Sequence, residues 1–273
     1  MKPLRFIITI VVLSYTAPLF AQFDFPSMSG QSAGMGGVTT SMTDNTAYLA
    51  NPAILALTEQ HTIVLSTRQS FLVEGLGYAA VGVSTPLGKG GASLSVIHYG
   101  NNDYNEQEAT LSYALPLAKK IALGSALHYL HSATSDPYYE PLQRFTFTLA
   151  LLYQPSNKLT IGFKAFNPIA VVSDKHDGVR TPALFNLGAA YWILDELMAS
   201  FEVEKNLYYK PCLRVGLQYT LEKQYFFRTG FSTQPVIYTF GAGALWNHLG
   251  IDLAMQVHSI LGITPQITLH CRF

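Results

Sequence analysis

The sequence predicts an all-β protein, a transmembrane antiparallel β-barrel of about fourteen strands. Only 12% of the 273 residues are Asp, Glu, Lys or Arg, whereas 49% are hydrophobic. This charged fraction is about half of the roughly 25% usual in soluble domains, too little to coat an ordinary soluble surface. Beyond the N-terminus no apolar run approaches the roughly 20 residues of a membrane helix. A closed barrel is the remaining way to satisfy a backbone in lipid.

The first 21 residues have the pattern of a secretory signal peptide. Lys2 and Arg5 precede an apolar stretch at 6–13, Pro18 ends it, and Ala21 offers a small residue for cleavage. The alternative, an uncleaved anchor helix, is disfavoured because the apolar stretch is too short. We therefore expect export across the inner membrane of a Gram-negative cell, with the mature chain reaching the outer membrane.

From residue 61 to residue 273 the side chains alternate with a period of two. In Leu249–Ser259, for example, Leu253 and Met255 share one face while Asp252 and Gln256 share the other. Successive side chains of a strand point to opposite faces, so one face suits lipid and the other a polar interior. We expect strands near 61–68, 76–86, 91–100, 105–116, 121–132, 143–154, 159–167, 183–193, 197–205, 212–221, 225–233, 236–246, 249–258 and 264–273.

The connections between these strands support the barrel independently. Every second one is tight, as at Pro86–Gly90 and Asn247–His248, whereas most intervening ones are longer, up to about fifteen residues at Pro168–Pro182. Short periplasmic turns and longer external loops are typical of outer-membrane barrels. An even strand number places both ends of the barrel chain in the periplasm. Five glycines on the expected strands are interpreted as possible bends of the wall: Gly188, Gly216, Gly230, Gly241 and Gly243.

The last predicted strand is amphipathic and ends on an aromatic residue. Ile267, Leu269 and Cys271 lead on one face to Phe273. This ending resembles the signal that outer-membrane assembly machinery reads, so Phe273 is our candidate assembly signal.

Charged residues of both signs fall on the inward face of the expected strands. The alternatives are internal ion pairs that tie the wall to other interior groups, and a polar conduit. Either one keeps charge away from lipid, where it is costly. The candidate lumen charges are Glu202, Glu204, Arg214, Arg228, Asp252 and Arg272, together with Glu106, Glu108 and Lys164.

Several classes of function are disfavoured. The formal net charge is zero, so no basic surface for nucleic acid is expected. His128 and His131 lie three residues apart on a strand, on opposite faces, so they make a poor metal pair. Neither a GxSxG motif nor a phosphate-binding or dinucleotide motif is present. We expect a protein that is not an enzyme and that has no catalytic residue, metal or cofactor.

Residues 30–55 resemble the N-terminal signature of the FadL-like superfamily of outer-membrane barrels. The resemblance rests on Ser32-Ala33-Gly34-Met35-Gly36-Gly37, then Asp44-Asn45-Thr46-Ala47, then Asn51-Pro52-Ala53. It implies that 22–60 folds as a small plug inside a barrel formed by 61–273. Asn51, Pro52 and Ala53 would hold the turn into the first strand, and Gly34, Met35, Gly36 and Gly37 would pack closely on the wall. The alternative is a disordered periplasmic leader.

The resemblance leaves two functions open. The superfamily includes transporters of long-chain fatty acids and hydrocarbons, and the PorV/PorQ-like proteins of Bacteroidetes, which serve protein secretion. Because the transporters are typically longer, with larger loops, we expect a PorV-like accessory or shuttle component of outer-membrane protein secretion or assembly. Its partners would be outer-membrane lipids and another outer-membrane or secretion-system protein.

The alternative is a FadL-like transporter with a hydrophobic small-molecule ligand. A lateral gap in the wall and an apolar pocket beside the plug would favour transport. A sealed wall with an exposed apolar stripe would favour a partner subunit.

Overall fold

The computed structural model describes residues 25–169, 181–207 and 209–273. The expected signal peptide and most of the loop 168–182 lie outside these residues. Fourteen strands follow one another along the chain: β1 Thr62–Gln69, β2 Gly77–Leu87, β3 Gly90–Gly100, β4 Tyr104–Ala118, β5 Ile121–Thr134, β6 Leu142–Ser156, β7 Leu159–Phe166, β8 Leu184–Trp192, β9 Leu197–Asn206, β10 Cys212–Leu221, β11 Tyr225–Thr233, β12 Val236–Trp246, β13 Leu249–His258 and β14 Gly262–Arg272.

The strands form one closed barrel. Each strand pairs antiparallel with its neighbours in the chain, and β1 pairs with β14, where Thr62 lies opposite Arg272. The backbone hydrogen bonds of both terminal strands are thereby satisfied without an exposed edge, as a chain in lipid requires. The predicted fold class, an antiparallel barrel of about fourteen strands, is confirmed.

Several strands, β4 and β6 among them, run further than the alternation predicted. β4 continues to Ala118 and β6 to Ser156, in regions predicted to belong to turns. In both cases the register shifts near the end, between Pro116 and Ala118 and between Tyr153 and Ser156. Such bulges interrupt the alternation locally while pairing continues, so a pattern of strict period two ends too early.

The two faces of the wall differ sharply in exposure. On β1, Val64 is fully buried and Ser66 nearly so, whereas Leu65 is 51% exposed. Large apolar side chains recur at exposed positions on the other strands, for example Leu94 and Leu127. The apolar face therefore points outward and small polar residues point inward, the reverse of a soluble sandwich.

Residues 25–60, here called the luminal segment, lie against the inner face of the wall. They include a short helix, α1 (Gly30–Gly34), and 3₁₀ turns at Ala47–Leu49 and Pro52–Leu57. The Ser29 hydroxyl caps α1 by accepting a hydrogen bond from the Ser32 N–H. None of the helices in the described ranges is long and apolar enough to cross a membrane.

Candidate functional site in the barrel interior

The glycine-rich part of the luminal segment packs directly on β10–β12. Gly36 has a left-handed φ of 71°, and a Cβ on it would lie 2.5 Å from the Val215 carbonyl oxygen and 2.8 Å from that of Phe231. Only glycine fits this combination of backbone angle and close approach. The Gly36 N–H donates to the Thr239 hydroxyl at 2.8 Å, and that hydroxyl donates to the Gly34 carbonyl at 2.9 Å. Met35 between them is fully buried.

Asn51 organises the second part of the predicted motif. Its side-chain oxygen accepts the Ala53 N–H at 3.0 Å, and its amide nitrogen donates to the Thr40 carbonyl at 2.6 Å. Asn51 thereby caps the turn that Pro52 begins and joins it to Thr40, earlier in the segment. The turn lies against β5, where a Cβ on Gly124 would come within 3.0 Å of the Ala53 backbone.

Wall glycines mark where the luminal segment approaches most closely. An added Cβ would lie less than 3.0 Å from the segment's backbone at five inward positions: Gly91, Gly124, Gly162, Gly216 and Gly230. At Gly188 the neighbour is the Thr40 hydroxyl, also within 3.0 Å, and at Gly241 it is the Gly34 Cα at 3.1 Å. At Gly188, Gly216, Gly230 and Gly241, which the sequence offered as possible bends, close approach of the luminal segment accounts for the absence of a side chain.

Three of the predicted lumen charges form one cluster beside the luminal segment. Glu202 is fully buried and accepts the N–H groups of Thr39 at 2.8 Å and Thr40 at 2.7 Å. Arg214 donates to Glu202 at 3.3 Å and to Glu204 at 2.7 Å. It also donates to the Gly37 carbonyl at 3.1 Å. The cluster therefore joins β9 and β10 to the luminal segment through charge-assisted hydrogen bonds.

A second cluster lies under α1. Arg228 on β11 pairs with Asp252 on β13, and both side chains are almost completely buried. The Arg228 Nε donates to Gln218 at 2.8 Å, and Gln218 in turn accepts from Gln31 of the luminal segment at 2.8 Å. α1 can lie this close to the network because Gly30 has no Cβ; one added there would be 2.4 Å from the Cβ of Asp252.

Arg272 is separate from both clusters. It lies near the short-turn end of the barrel and donates to the Asn247 carbonyl at 3.1 Å. Phe273 follows it, 63% exposed, with its ring stacked on His61 at 5.5 Å between centroids. Two backbone hydrogen bonds between His61 and Phe273 close the seam beyond the last paired residues.

The polar partners of these charges were not among the predicted site residues. Thr39 and Thr40 were not singled out, and neither was Asn186, which donates to Glu202 at 3.0 Å and to Glu204 at 2.8 Å. His128 was considered only as a metal ligand. It instead contacts Glu108 at 2.6 Å and Thr148 at 2.8 Å. The sequence held one hint of these partners: Asn186 and His128 fall at inward-facing positions of their strands.

Two cavities flank the luminal segment along the barrel axis. The upper cavity, of about 500 Å³, opens toward the long-loop end. Aromatic and aliphatic side chains line its β1–β3 side: Phe25, Phe71, Tyr78 and Ile97. Lys164 and Arg214 line the opposite side, and Glu108 lies next to Ile97 on the neighbouring strand β4. The lower cavity, of about 210 Å³, lies at the short-turn end and includes Asp44, Ile54, Leu57, Ser84 and Arg272.

Burial changes the ionisation of two groups of the luminal segment. It raises the pKa of the Asp44 carboxyl, an effect that the hydrogen bond from the Thr46 hydroxyl partly offsets. It also raises the pKa of the Tyr48 hydroxyl, so the ring is neutral at physiological pH. Within the described residues, no group of three or more His, Cys, Asp or Glu side chains is arranged to hold a metal ion.

Solved structures share this architecture over nearly the whole chain. The toluene transporter TbuX of Ralstonia pickettii superimposes with a TM-score of 0.71 at 13% identity, covering 92% of this chain and 100% of that one. The toluene transporter TodX of P. putida gives 0.68 at 12% identity, covering 92% and 99%. A FadL homologue of Pseudomonas aeruginosa gives 0.67 at 11% identity, covering 91% and 98%.

The chain has the fold of this FadL homologue and of both toluene transporters. At such low identities the likeness concerns the fold alone. No protein-family model matches the chain, and no curated protein matches it.

Proposed function

We propose that this barrel passes hydrophobic small molecules across the outer membrane, the alternative interpretation of the sequence. The observation that carries the proposal is the similarity in fold to two toluene transporters, which extends over 99–100% of their chains. The small size and short loops of this chain, relative to typical transporters, were the reason to expect a secretion accessory. Because the alignments span those chains end to end, compactness alone does not separate this chain from them.

The interior gives physical support to the same proposal. A cavity of about 500 Å³ lies within the range of roughly 300–1,000 Å³ usual for small-molecule sites. Its β1–β3 side carries the rings of Phe25, Phe71 and Tyr78, which suit an apolar or aromatic guest. The charged groups of its lining are engaged: Glu108 with His128, Arg214 with Glu204, and Lys164 with the Ala50 carbonyl of the luminal segment.

We propose three further roles for parts of the chain. The segment 22–60 acts as a plug of the barrel 61–273, supported by its burial and by its bonds to Glu202, Arg214 and Thr239. Residues 1–21 direct export. Phe273 acts as the assembly signal, supported by its place at the seam beside His61.

Uptake of radiolabelled toluene by Gram-negative cells that produce the barrel tests the transport proposal. We expect faster uptake than in cells with an empty vector, while uptake of a hydrophilic sugar stays the same. Equal toluene uptake in the two strains, with the barrel present in the outer membrane, would contradict the proposal.

The secretion-accessory function remains as a second candidate because of one observation. Each described strand is paired on both sides, so the wall has no gap between the strands described here. A sealed wall was the feature expected of a partner subunit. Gentle purification of the native protein followed by mass spectrometry tests this. Stoichiometric recovery of a secretion component would support the second candidate, and a lone barrel with bound apolar ligand would refute it.

A further inference from the structure

The closed wall restricts how a ligand leaves the interior. Every strand is hydrogen-bonded to both neighbours, and the registers of β1–β3 run without a shift. Breaking such a ladder in lipid would expose unpaired backbone groups, which is costly. A ligand in the upper cavity that does not return through the long-loop end therefore leaves along the barrel axis, toward the lower cavity.

Tyr48 lies where the two cavities meet. It lines both the upper and the lower cavity. Its neighbour Leu49 lines the upper cavity, whereas Ile54 and Leu57 line the lower one. Tyr48 thus borders both spaces; the lower one has a mostly polar lining, in which Ile54 and Leu57 are the other apolar members.

The ring of Tyr48 is held by packing alone. It contacts Leu55, Val64 and Ala114, and is 6% exposed. Its hydroxyl has no hydrogen-bond partner among the described residues. A buried hydroxyl without a hydrogen-bond partner is destabilising. Movement of the ring toward a polar group or water would relieve this cost at the expense of its packing.

The wall beside Tyr48 is built of small residues. Gly82 on β2 lies so close that a Cβ there would be 2.7 Å from the Tyr48 hydroxyl and 2.8 Å from Leu49. In the ladder Gly82 is flanked by Val64 on β1 and Ser95 on β3. Gly82, which has no side chain, therefore lies directly against the Tyr48 hydroxyl.

The rest of the luminal segment is anchored elsewhere. Thr39 and Thr40 are bonded to Glu202 on β9, Gly36 to Thr239 on β12, and Gln31 to Gln218 on β10. These bonds on β9–β12, together with the close packing of residues 52–58 on Gly91 and Gly124, can hold the segment in place while the Tyr48 ring moves.

We propose that Tyr48 is the constriction of an axial route along β1–β3 and that it selects flat apolar molecules about as wide as its own ring. The inference rests on the proposed function, which it deepens by assigning the route and the residue that determines size. The phenol ring fills the space that a permeating molecule would take, and it packs directly against Gly82, whose missing side chain makes room for it.

Ion conductance through single barrels in planar bilayers with potassium chloride tests the constriction without any ligand. We expect Tyr48→Ala to raise the conductance several-fold, because removal of the ring joins the two cavities. Tyr48→Phe should conduct like the original protein. Met42→Ala is the matched control, since Met42 is a buried residue of the luminal segment that does not line either cavity. An unchanged conductance of folded Tyr48→Ala would overturn the proposal.

Blocking the lower cavity tests the route itself. Ser84 lines that cavity, whereas the adjacent Val83 faces lipid and is 43% exposed. We expect Ser84→Trp to reduce the uptake of radiolabelled toluene at least several-fold relative to Val83→Trp, with equal amounts of folded barrel. Equal uptake by the two variants would refute an axial exit. Failure of the original protein to take up toluene would instead refute the proposed function, while the conductance experiment would still decide the role of Tyr48.

Discussion

At the scale of single residues, Glu202 joins the wall to the luminal segment. Its carboxylate is fully buried and accepts from two backbone N–H groups, from Asn186 and from Arg214. Glu204, two residues further along the same strand, keeps a side-chain exposure of 21%. A buried carboxylate is tolerated only when charge and hydrogen bonds both compensate for lost hydration. The cost of disturbing Glu202 should therefore greatly exceed that of disturbing Glu204.

The first prediction is that Glu202→Gln lowers the free energy of unfolding by about 3–5 kcal/mol, the range for breaking a buried ion pair. The amide removes the charge that Arg214 requires and turns a donor toward the N–H groups of Thr39 and Thr40. Equilibrium unfolding in urea with lipid vesicles measures the loss. Glu204→Gln is the control and should lose clearly less. Equal losses for the two variants would contradict this account of Glu202.

At the scale of elements, the fit between α1, the turn that follows it and strands β10–β12 depends on glycine on both surfaces. Gly36 of the luminal segment and Gly230 of β11 face each other, and a Cβ on Gly230 would come within 3.0 Å of the Gly36 backbone. Gly37 also has a left-handed φ, of 81°, but the nearest atoms to its Cβ position belong to Arg214 at 3.6 Å. Gly36 and Gly37 thus share a left-handed backbone conformation but differ in the space around them.

The second prediction separates these two effects. Alanine at either position carries the left-handed strain of about 1–2 kcal/mol, but only Gly36→Ala also forces a methyl group into the backbone of β10 and β11. We expect Gly36→Ala to loosen the luminal segment and to increase its cleavage by protease at least several-fold over Gly37→Ala. Limited proteolysis of the folded barrels with mass spectrometry of the fragments checks this. Equal cleavage would mean that strain, and not close approach, sets the glycine requirement.

At the scale of the whole molecule, the barrel and the luminal segment are stabilised by different interactions. The ladder of fourteen strands closes on itself through β1 and β14 without any contribution from residues 25–60. The inner face beneath the segment is rich in small and polar side chains, which water can hydrate. The barrel should accordingly be able to form around a water-filled interior.

The third prediction is that deletion of residues 25–60 leaves a folded barrel with a large, open conductance. Heat-dependent migration in gel electrophoresis reports the fold, and planar bilayers report the conductance. The barrel without residues 25–60 should conduct more than Tyr48→Ala, because the deletion removes the whole luminal segment and not one ring. A deletion variant that fails to fold would show that the segment is needed for closure.

The sequence by itself determined the strands, their number and the inward register of Glu202, Arg214, Arg228 and Asp252. These features follow from alternation within single strands, which each stretch of about ten residues carries irrespective of its partners. Alternation was least informative where bulges interrupt it, at the ends of β4 and β6.

The tertiary structure alone decided which interior groups meet. Thr39 and Glu202 are 163 positions apart, and Gly36 and Thr239 are 203 apart. Closure of the barrel brings both pairs together, and no local pattern records such a distance. The role of the wall glycines also depends on the tertiary structure, because Gly216 and Gly230 face the backbone of Met35 and Gly36 and no local pattern records that contact. Tyr48 has no distinguishing pattern in the sequence. It borders two cavities and lies against Gly82 because the closed wall surrounds the luminal segment.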